Sequence, residues 1–439
     1  MEWWLALVLI FSVVAIFLAS GMPVAFCFIL VNILGVVFLQ GGSTGSFYQL
    51  ILGMYSSVST FVLLPIPLFV LMGEVLWHSE MAFKAIDVLD KWLGRIPGRL
   101  SILAIASGTV FSSLSGSTIA NTAMLGTMLQ PELERRGYKT PMSVGPILAS
   151  GGLAMMIPPS NLAVILAALG KLSVGRILIG AIIPGLIMAS LYILYILIRC
   201  ILQPNLTPQY TVESTPLEEK IIAFVKYLLP LTFIVFLVTG LIVFGVASPT
   251  ESAALGCFGS FILAACYRRL TWGLVKVSVL GSLNVTVMML TIMVGSFGFS
   301  QLLAYSGVSR GLLDFMISLP IAPILILIGI QLVIIFLGMF MEQIAIMMIT
   351  LPIIIPVINA LGYDLIWFGI IMLINLEISL TSPPFGILNF VMKGVVRDSI
   401  SMREIFKAGI PFILCDLTAM IIVMSAPVTV NWMTRIVFN

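Results

Sequence analysis

Four short stretches carry most of the polar chemistry in an otherwise apolar chain. Residues 107–122 read SGTVFSSLSGSTIANT, and residues 338–344 read GMFMEQI. Residues 155–160 read MMIPPS, and residues 381–386 read TSPPFG. Glu342 is a carboxylate set in apolar sequence, which costs a few kcal/mol on insertion scales, so it is either a functional group or an acceptor for a hairpin tip. Each Pro-Pro removes N–H donors from a helix, so carbonyls just upstream lose their helical partners. Freed carbonyls and nearby hydroxyls are hard oxygen donors, the kind that suits an ion such as Na+. Gly151, Gly152, Ser379, Thr381 and Ser382 lie close enough in sequence to take part. Helix N-termini beginning at such breaks point N–H groups outward and favour an anion.

These stretches need a membrane around them. The chain has 439 residues, 60% hydrophobic and 9% charged, and its mean hydropathy is +1.19. That composition excludes an ordinary soluble domain. Apolar runs such as residues 3–20, 227–246 and 410–432 match the roughly 20 residues a helix needs to cross the hydrocarbon core. The expected fold is therefore an all-α polytopic membrane protein in a lipid bilayer. No Lys or Arg precedes the first run and more spans follow, so it reads as a retained helix rather than a cleaved signal. Residues 107–122 are too rich in Gly, Ser and Thr for a lipid-facing span, and they read as the tip of a re-entrant hairpin. Irregular backbone at that depth is tolerated only against protein or a water-filled cavity.

The chain repeats itself at a shift of 225 residues. Ile119-Ala120 returns as Ile344-Ala345, Pro131 as Pro356, Gly137-Tyr138 as Gly362-Tyr363 and Pro158-Pro159 as Pro383-Pro384. The polar stretch 203–220 (QPNLTPQYTVESTPLEEK) divides the halves as a linker. The expected organisation is 1–202 with the first repeat, 203–226 as cytoplasmic linker and 227–439 with the second. Within them come an amphipathic arm at 80–99, a hairpin tip at 107–122 and a broken helix at 140–170. A second tip at 338–344 and a second broken helix at 365–392 follow. Lys84, Lys91, Arg95, Arg99, Arg135, Arg136 and Lys139 mark cytoplasmic loops of the first repeat, while the matching loops of the second hold only Arg310. The two repeats thus run in opposite directions, and both termini are expected in the periplasm. Inverted repeats with matching breaks point to a secondary transporter with a binding site near the bilayer midplane.

Other function classes fit poorly. A net charge of +3 scattered over loops offers no nucleic-acid surface. The five cysteines, Cys27, Cys200, Cys257, Cys266 and Cys415, have no metal-type spacing. The single histidine, His78, beside the charged stretch 80–99, reads as interfacial and precludes a His-based triad. Glu251 in ASPTESAA reads as a helix-start acid. An intramembrane hydrolase lacks its nucleophile and base, and a channel would show a symmetric pore-lining filter.

Taken together, SGST at 115–118, AMMIPPS at 154–160, SPTESAALG at 248–256, GMFME at 338–342 and FGIIMLINLEISLTSPPFG at 368–386 resemble the large (M) subunit of tripartite ATP-independent periplasmic (TRAP) transporters, over essentially the whole chain. The resemblance implies an elevator-type, Na+-coupled importer of a small organic anion in the bacterial inner membrane. It also implies two partners, a small four-helix membrane subunit and a periplasmic substrate-binding protein. Carried onto this chain, it gives one cation site and part of the solute pocket to Ser115, Gly116, Ser117, Gly152, Ile157, Ser160 and Asn161. Gly338, Met339, Glu342, Thr381, Ser382 and Pro383 would form the other half, with Ser115, Ser160, Asn161, Glu342 and Thr381 as the solute ligands. The family commonly has Gly after the hairpin acid and Thr before the second Pro-Pro, where this chain has Gln343 and Ser382. A self-sufficient Na+/anion symporter of the wider ion-transporter superfamily is the alternative.

Overall fold

The computed structural model describes residues 2–94, 96–208, 216–384, 386–397 and 400–438, without the side chains of residues 82 and 113–115. The first half comprises α1 (Trp3–Ala19), α2 (Val24–Leu39), α3 (Thr44–Val58), α4 (Pro65–His78), α5 (Met81–Leu93), α6 (Arg99–Ser115), α7 (Thr118–Arg135), α8 (Thr140–Met156), α9 (Asn161–Leu169) and α10 (Val174–Leu202). The second comprises α11 (Leu217–Ala223), α12 (Leu229–Val243), α13 (Pro249–Cys266), α14 (Trp272–Tyr305), α15 (Val308–Ser318), α16 (Pro323–Gly338), α17 (Gln343–Ala360), α18 (Leu365–Thr381), α19 (Ile387–Val395), α20 (Met402–Ser425) and α21 (Val428–Phe438). Among the described residues there is no strand. Among those residues seven helices, or eight if the bent pair α8–α9 counts as one span, are long and apolar enough to cross a bilayer.

The repeat is visible as element order. A short amphipathic helix, two helices joined at a tight tip, a helix broken near its middle and a long helix run through α5 to α10, then again through α15 to α20. In each copy the two hairpin helices pack on the first limb of the broken helix, α6 and α7 on α8, α16 and α17 on α18. The copies interlock, since α20 lies against α8 and α10 against α18. Both first limbs are core: α8 is buried throughout Met142–Met156 and α18 throughout Trp367–Thr381. Both are enclosed by helices of the two copies rather than by lipid.

Around this unit stand α2, α3 and α4 against the long α14, with α13 packed against α4 and α12 against α13. Their outer faces expose Phe236, Phe258 and Val287 as lipid-facing surface. At 34 residues α14 is about 50 Å long, well beyond the roughly 30 Å hydrocarbon core, so it must tilt or project.

Local chemistry sets the helix limits. Ser43, Ser117, Ser160, Ser173, Thr271 and Asp364 each cap a helix start with a side-chain oxygen. Ser248 and Glu251 form a reciprocal capping box, as do Ser401 and Glu404. Glu251 accordingly does the helix-start work its position indicates. The predicted linker 203–226 and arm 80–99 lie partly outside the described residues, at 209–215 and at 95. Helix α11 begins inside that linker, at Leu217, because Pro216 fixes the start and no breaker separates Lys220 from the apolar run after it. It continues through a π-helical turn, Phe224–Leu228, into α12 as a single span, Leu217–Val243.

Candidate transport site

The first hairpin turns at Gly116 and Ser117. Gly116 is left-handed (φ 57°) and its N–H donates to the Ser112 carbonyl at 3.0 Å, a helix stop that glycine adopts without strain. Ser117 then caps α7 by accepting the Ala120 N–H at 3.4 Å. Ser115 ends α6, but its side chain lies outside the described residues. Asn121 locks the hairpin to α8: its amide donates to the carbonyls of Gly108 and Ser150 and to the Ser112 hydroxyl at 3.0–3.3 Å. The second hairpin is held the same way from the other side, with the Asn375 amide donating to the Gln331 carbonyl at 2.9 Å and to its side-chain oxygen. Ser150 and Asn375 are equivalent positions of the repeat.

Both breaks follow from proline. Pro158-Pro159 and Pro383-Pro384 are cis peptides, and α8 and α9 meet at 46°. Neither ring nitrogen of the first pair can donate to the carbonyls of Ala154 and Met155, nor those of the second to Ser379 and Leu380. Of these four, the Ser379 carbonyl still accepts the Ser382 N–H at 3.3 Å, which leaves those of Ala154, Met155 and Leu380 as the carbonyls that the breaks release. Ile157 and Ser382 sit in the breaks as extended C-caps, and Ser160, fully buried, caps α9 by accepting the Ala163 N–H at 3.3 Å. In the second break the Thr381 hydroxyl donates to the Glu377 carbonyl at 3.1 Å, and the Thr381 carbonyl accepts from the Asn389 amide at 2.7 Å. Asn389 thus occupies one oxygen that sequence alone would leave free.

The tips converge on one cavity of about 670 Å³. Gly116, Ser117 and Thr118 reach it from the first tip, Glu342, Gln343 and Ile344 from the second, and Asn161 and Leu162 from the start of α9. Its opposite wall is α4 and α14, through Trp77, His78, Met288 and Met289 among others, with Met124 and Met128 of α7 on the near side. Glu342 caps α17, accepting the Ile344 N–H at 3.2 Å. Gln343 donates to the Met155 sulfur at 3.7 Å and so ties the second hairpin to the first broken helix. The N-termini of α7, α9 and α17 therefore open into the same space.

Among the predicted site residues, Gly116, Ser117, Asn161 and Glu342 line this cavity. Gly152, Ile157, Ser160, Gly338, Met339, Thr381, Ser382 and Pro383 stand behind it, in the breaks and at the helix contacts. Gly338 packs directly on Ser379, and Gly116 on Asn161. Sequence reasoning missed three features. His78 is not merely interfacial: its Nε2 lies 3.2 Å from Glu74 Oε2, and both side chains line the cavity. Asp416, 2% exposed, accepts a hydrogen bond from the Tyr192 hydroxyl in the middle of the protein. The test that picks out Glu342, an acid in an apolar run, applies equally to Asp416 in residues 410–432. The ordering role of Asn121 is the third.

Two repeated hairpin and broken-helix units around a cavity that faces a separate helical wall define a multi-pass membrane transporter. The chain belongs to the family described as the tripartite ATP-independent periplasmic transporter, DctM component, whose model matches residues 11–429. It is thus a permease component and not an enzyme. It is 27% identical to the C4-dicarboxylate TRAP transporter large permease protein DctM of Rhodobacter capsulatus, over 95% of this chain and 96% of that one. It is 28% identical to the isethionate TRAP transporter permease protein DctMQ of Oleidesulfovibrio alaskensis, over 95% of this chain and 65% of that one. In fold it is similar to the YdaH transporter of Alcanivorax borkumensis, with a TM-score of 0.62 at 13% identity and 90% of each chain covered.

Proposed function

We propose that this chain is the large subunit of a TRAP transporter that imports a small organic anion across the bacterial inner membrane, driven by Na+. The observation that carries the anion is the convergence of three helix N-termini, at Thr118, Asn161 and Gln343, on one cavity. Each presents the first-turn N–H groups beyond those its cap takes, and the positive end of its dipole. The names of relatives, one for C4-dicarboxylates and one for isethionate, fit a site that reads an acid by backbone donors rather than by one fixed basic side chain. Na+ is supported by the donor set. Carbonyls released at the two breaks and the hydroxyls of Ser117, Thr381 and Ser382 are neutral oxygen ligands, and Gly116, Gly152, Gly338 and Met339 bring backbone close to them. Because Glu342 faces the same cavity, a bound cation would offset its charge and admit the anion, which couples the two.

The two hairpins and broken helices form one interlocked unit against α4 and α14, so an elevator displacement of that unit is the motion the architecture favours. The charge pattern of the loops supports periplasmic termini and a cytoplasmic linker, and with it a cavity that opens toward the arm side of the membrane. A small membrane subunit and a periplasmic binding protein complete the system, and the greater length of the DctMQ relative leaves room for a fused partner. Solute uptake into proteoliposomes of this chain and its small-subunit partner tests the reading, with the binding protein and an inward Na+ gradient added separately. Uptake is expected only with both. Na+-driven uptake without the binding protein would instead make the chain a self-sufficient symporter.

A further inference from the structure

Glu377 lies toward the C-terminal end of α18 with no exposed surface, and neither of its carboxyl oxygens has a hydrogen-bond partner. A buried ionised carboxylate without compensation costs several kcal/mol, and a side chain of this length has ways to turn toward a donor. This one instead lies against the first broken helix. A Cβ placed on Gly152 would overlap the Glu377 carboxyl. Gly152 and Glu377 are equivalent positions of the repeat, separated by the same 225 residues as the Pro-Pro pairs. The carboxyl therefore lies where the two copies meet, in space that only glycine leaves open. From there it is one to two helical turns from both breaks, while Ser379, on the same helix, packs on Gly338 of the second hairpin.

The charges that face Glu377 do not supply its partner. Asp416 on α20 is a second acid, and its hydrogen bond comes from Tyr192 on α10. Among the described residues the one buried basic side chain is Arg99, which pairs with Asp90 at 2.9 Å beside the arm. The interlocked unit thus encloses acids without a base. A unit that carries monovalent cations through the bilayer core is helped by such a negative charge, because it offsets the desolvation penalty that the cation meets there.

We propose that Glu377, held between the two broken helices in the space left by Gly152, is the fixed negative charge that holds Na+ in the moving unit. The proposal rests on the Na+-coupled reading above and adds to it a residue that serves both half-sites at once. Glu377 acts as a positioning charge set back from the cavity, and the breaks and tips supply the inner oxygens.

The test is thermal unfolding of the purified full-length chain, titrated with NaCl against choline chloride at constant ionic strength. The parent, Glu377→Gln, Glu377→Met and Asp416→Asn are compared. The expected result is Na+-dependent stabilisation of the parent and a midpoint Na+ concentration raised at least about tenfold, or about 1.4 kcal/mol, in both Glu377 variants. Asp416→Asn should shift it far less, because that acid already has a partner. Glu377→Met removes the charge without stranding a polar group, so without Na+ it should unfold at a higher temperature than the parent, and the Na+ midpoint is the readout that an idle buried carboxyl would not move. A parent-like Na+ midpoint in Glu377→Met overturns the proposal and leaves Na+ coupling intact. A parent that does not respond to Na+ overturns the coupling itself.

Discussion

Gly116→Ala separates two physical effects at the first hairpin tip. Gly116 has φ 57°, and placing a Cβ in that conformation costs about 1–2 kcal/mol. The new methyl would also stand 2.8 Å from Asn161 Nδ2, 3.1 Å from its Cγ and 3.3 Å from its backbone nitrogen. Ordinary contact begins at 3.4 Å, so the amide must retreat by 0.6 Å (3.4 − 2.8) and the start of α9 has almost no slack. Asn161 is only 3% exposed, and crowding of this kind in a packed interior costs about 1–3 kcal/mol. The expected loss is therefore about 2–5 kcal/mol. Gly137→Ala is the control, because its φ is 80° and the nearest atom to its Cβ is Pro208 Cγ at 3.4 Å. It should show the backbone effect alone. In an Asn161→Ala background, Gly116→Ala should fall toward the Gly137→Ala cost. Thermal unfolding of purified protein, with uptake measured in parallel, reads all four variants. A Gly116→Ala loss no larger than that of Gly137→Ala, and unchanged by Asn161→Ala, would refute the packing argument.

Gly338→Ala should displace the second hairpin from α18, because its Cβ would overlap Ser379. The overlap includes the serine Cβ, so Ser379→Gly should restore uptake in that background and Ser379→Ala should not. Glu342→Ala removes the cap of α17, a loss of about 1 kcal/mol, and the cavity's second-tip carboxylate. It should lower uptake while leaving the amount of protein in the membrane unchanged, as immunoblotting of membranes would show. At the far end of α7, Arg135 and then Arg136 hold the Glu132 carboxyl below its ordinary value of 4.5. A depressed carboxyl stabilises the fold above that value and loses the effect as pH falls below it. Glu132→Gln should therefore flatten the acid limb of the stability profile below about pH 4.5 by less than about 1 kcal/mol, with no change at pH 7 beyond the lost pair.

Legibility in the sequence tracked whether a residue carries its own structural consequence. Pro158-Pro159 and Pro383-Pro384 break a helix wherever they stand, so both breaks were readable and their shared spacing exposed the repeat. The first tip was readable from its glycine and hydroxyl content, and the second from one acid among apolar residues. The second arm was not. Val308–Ser318 is the counterpart of Met81–Leu93 in element order, but it carries only Arg310 and Asp314 where the first has four charges, too few to set it apart. Cavity walls were also hidden. Glu74 and His78 are one turn apart on α4, and nothing in that spacing tells which side of the helix faces α7 and α17. Gly152 reads in sequence as a backbone contact to a cation, and nothing there shows that its missing side chain also makes room for Glu377. That relation exists only after two segments 225 residues apart have met.

Four of the side chains around the cavity are methionines, Met124, Met128, Met288 and Met289. An unbranched thioether has three rotatable bonds and no preferred partner, so it reshapes itself around whatever it touches. Such a lining presses on a passenger without measuring its outline. On the function proposed above, discrimination among acids of different shape would fall to the hairpin tips beside this lining, where Asn121 and Gly116 hold the backbone in register. On the same reading, a change of solute would call for new residues at the tips while this lining stayed as it is.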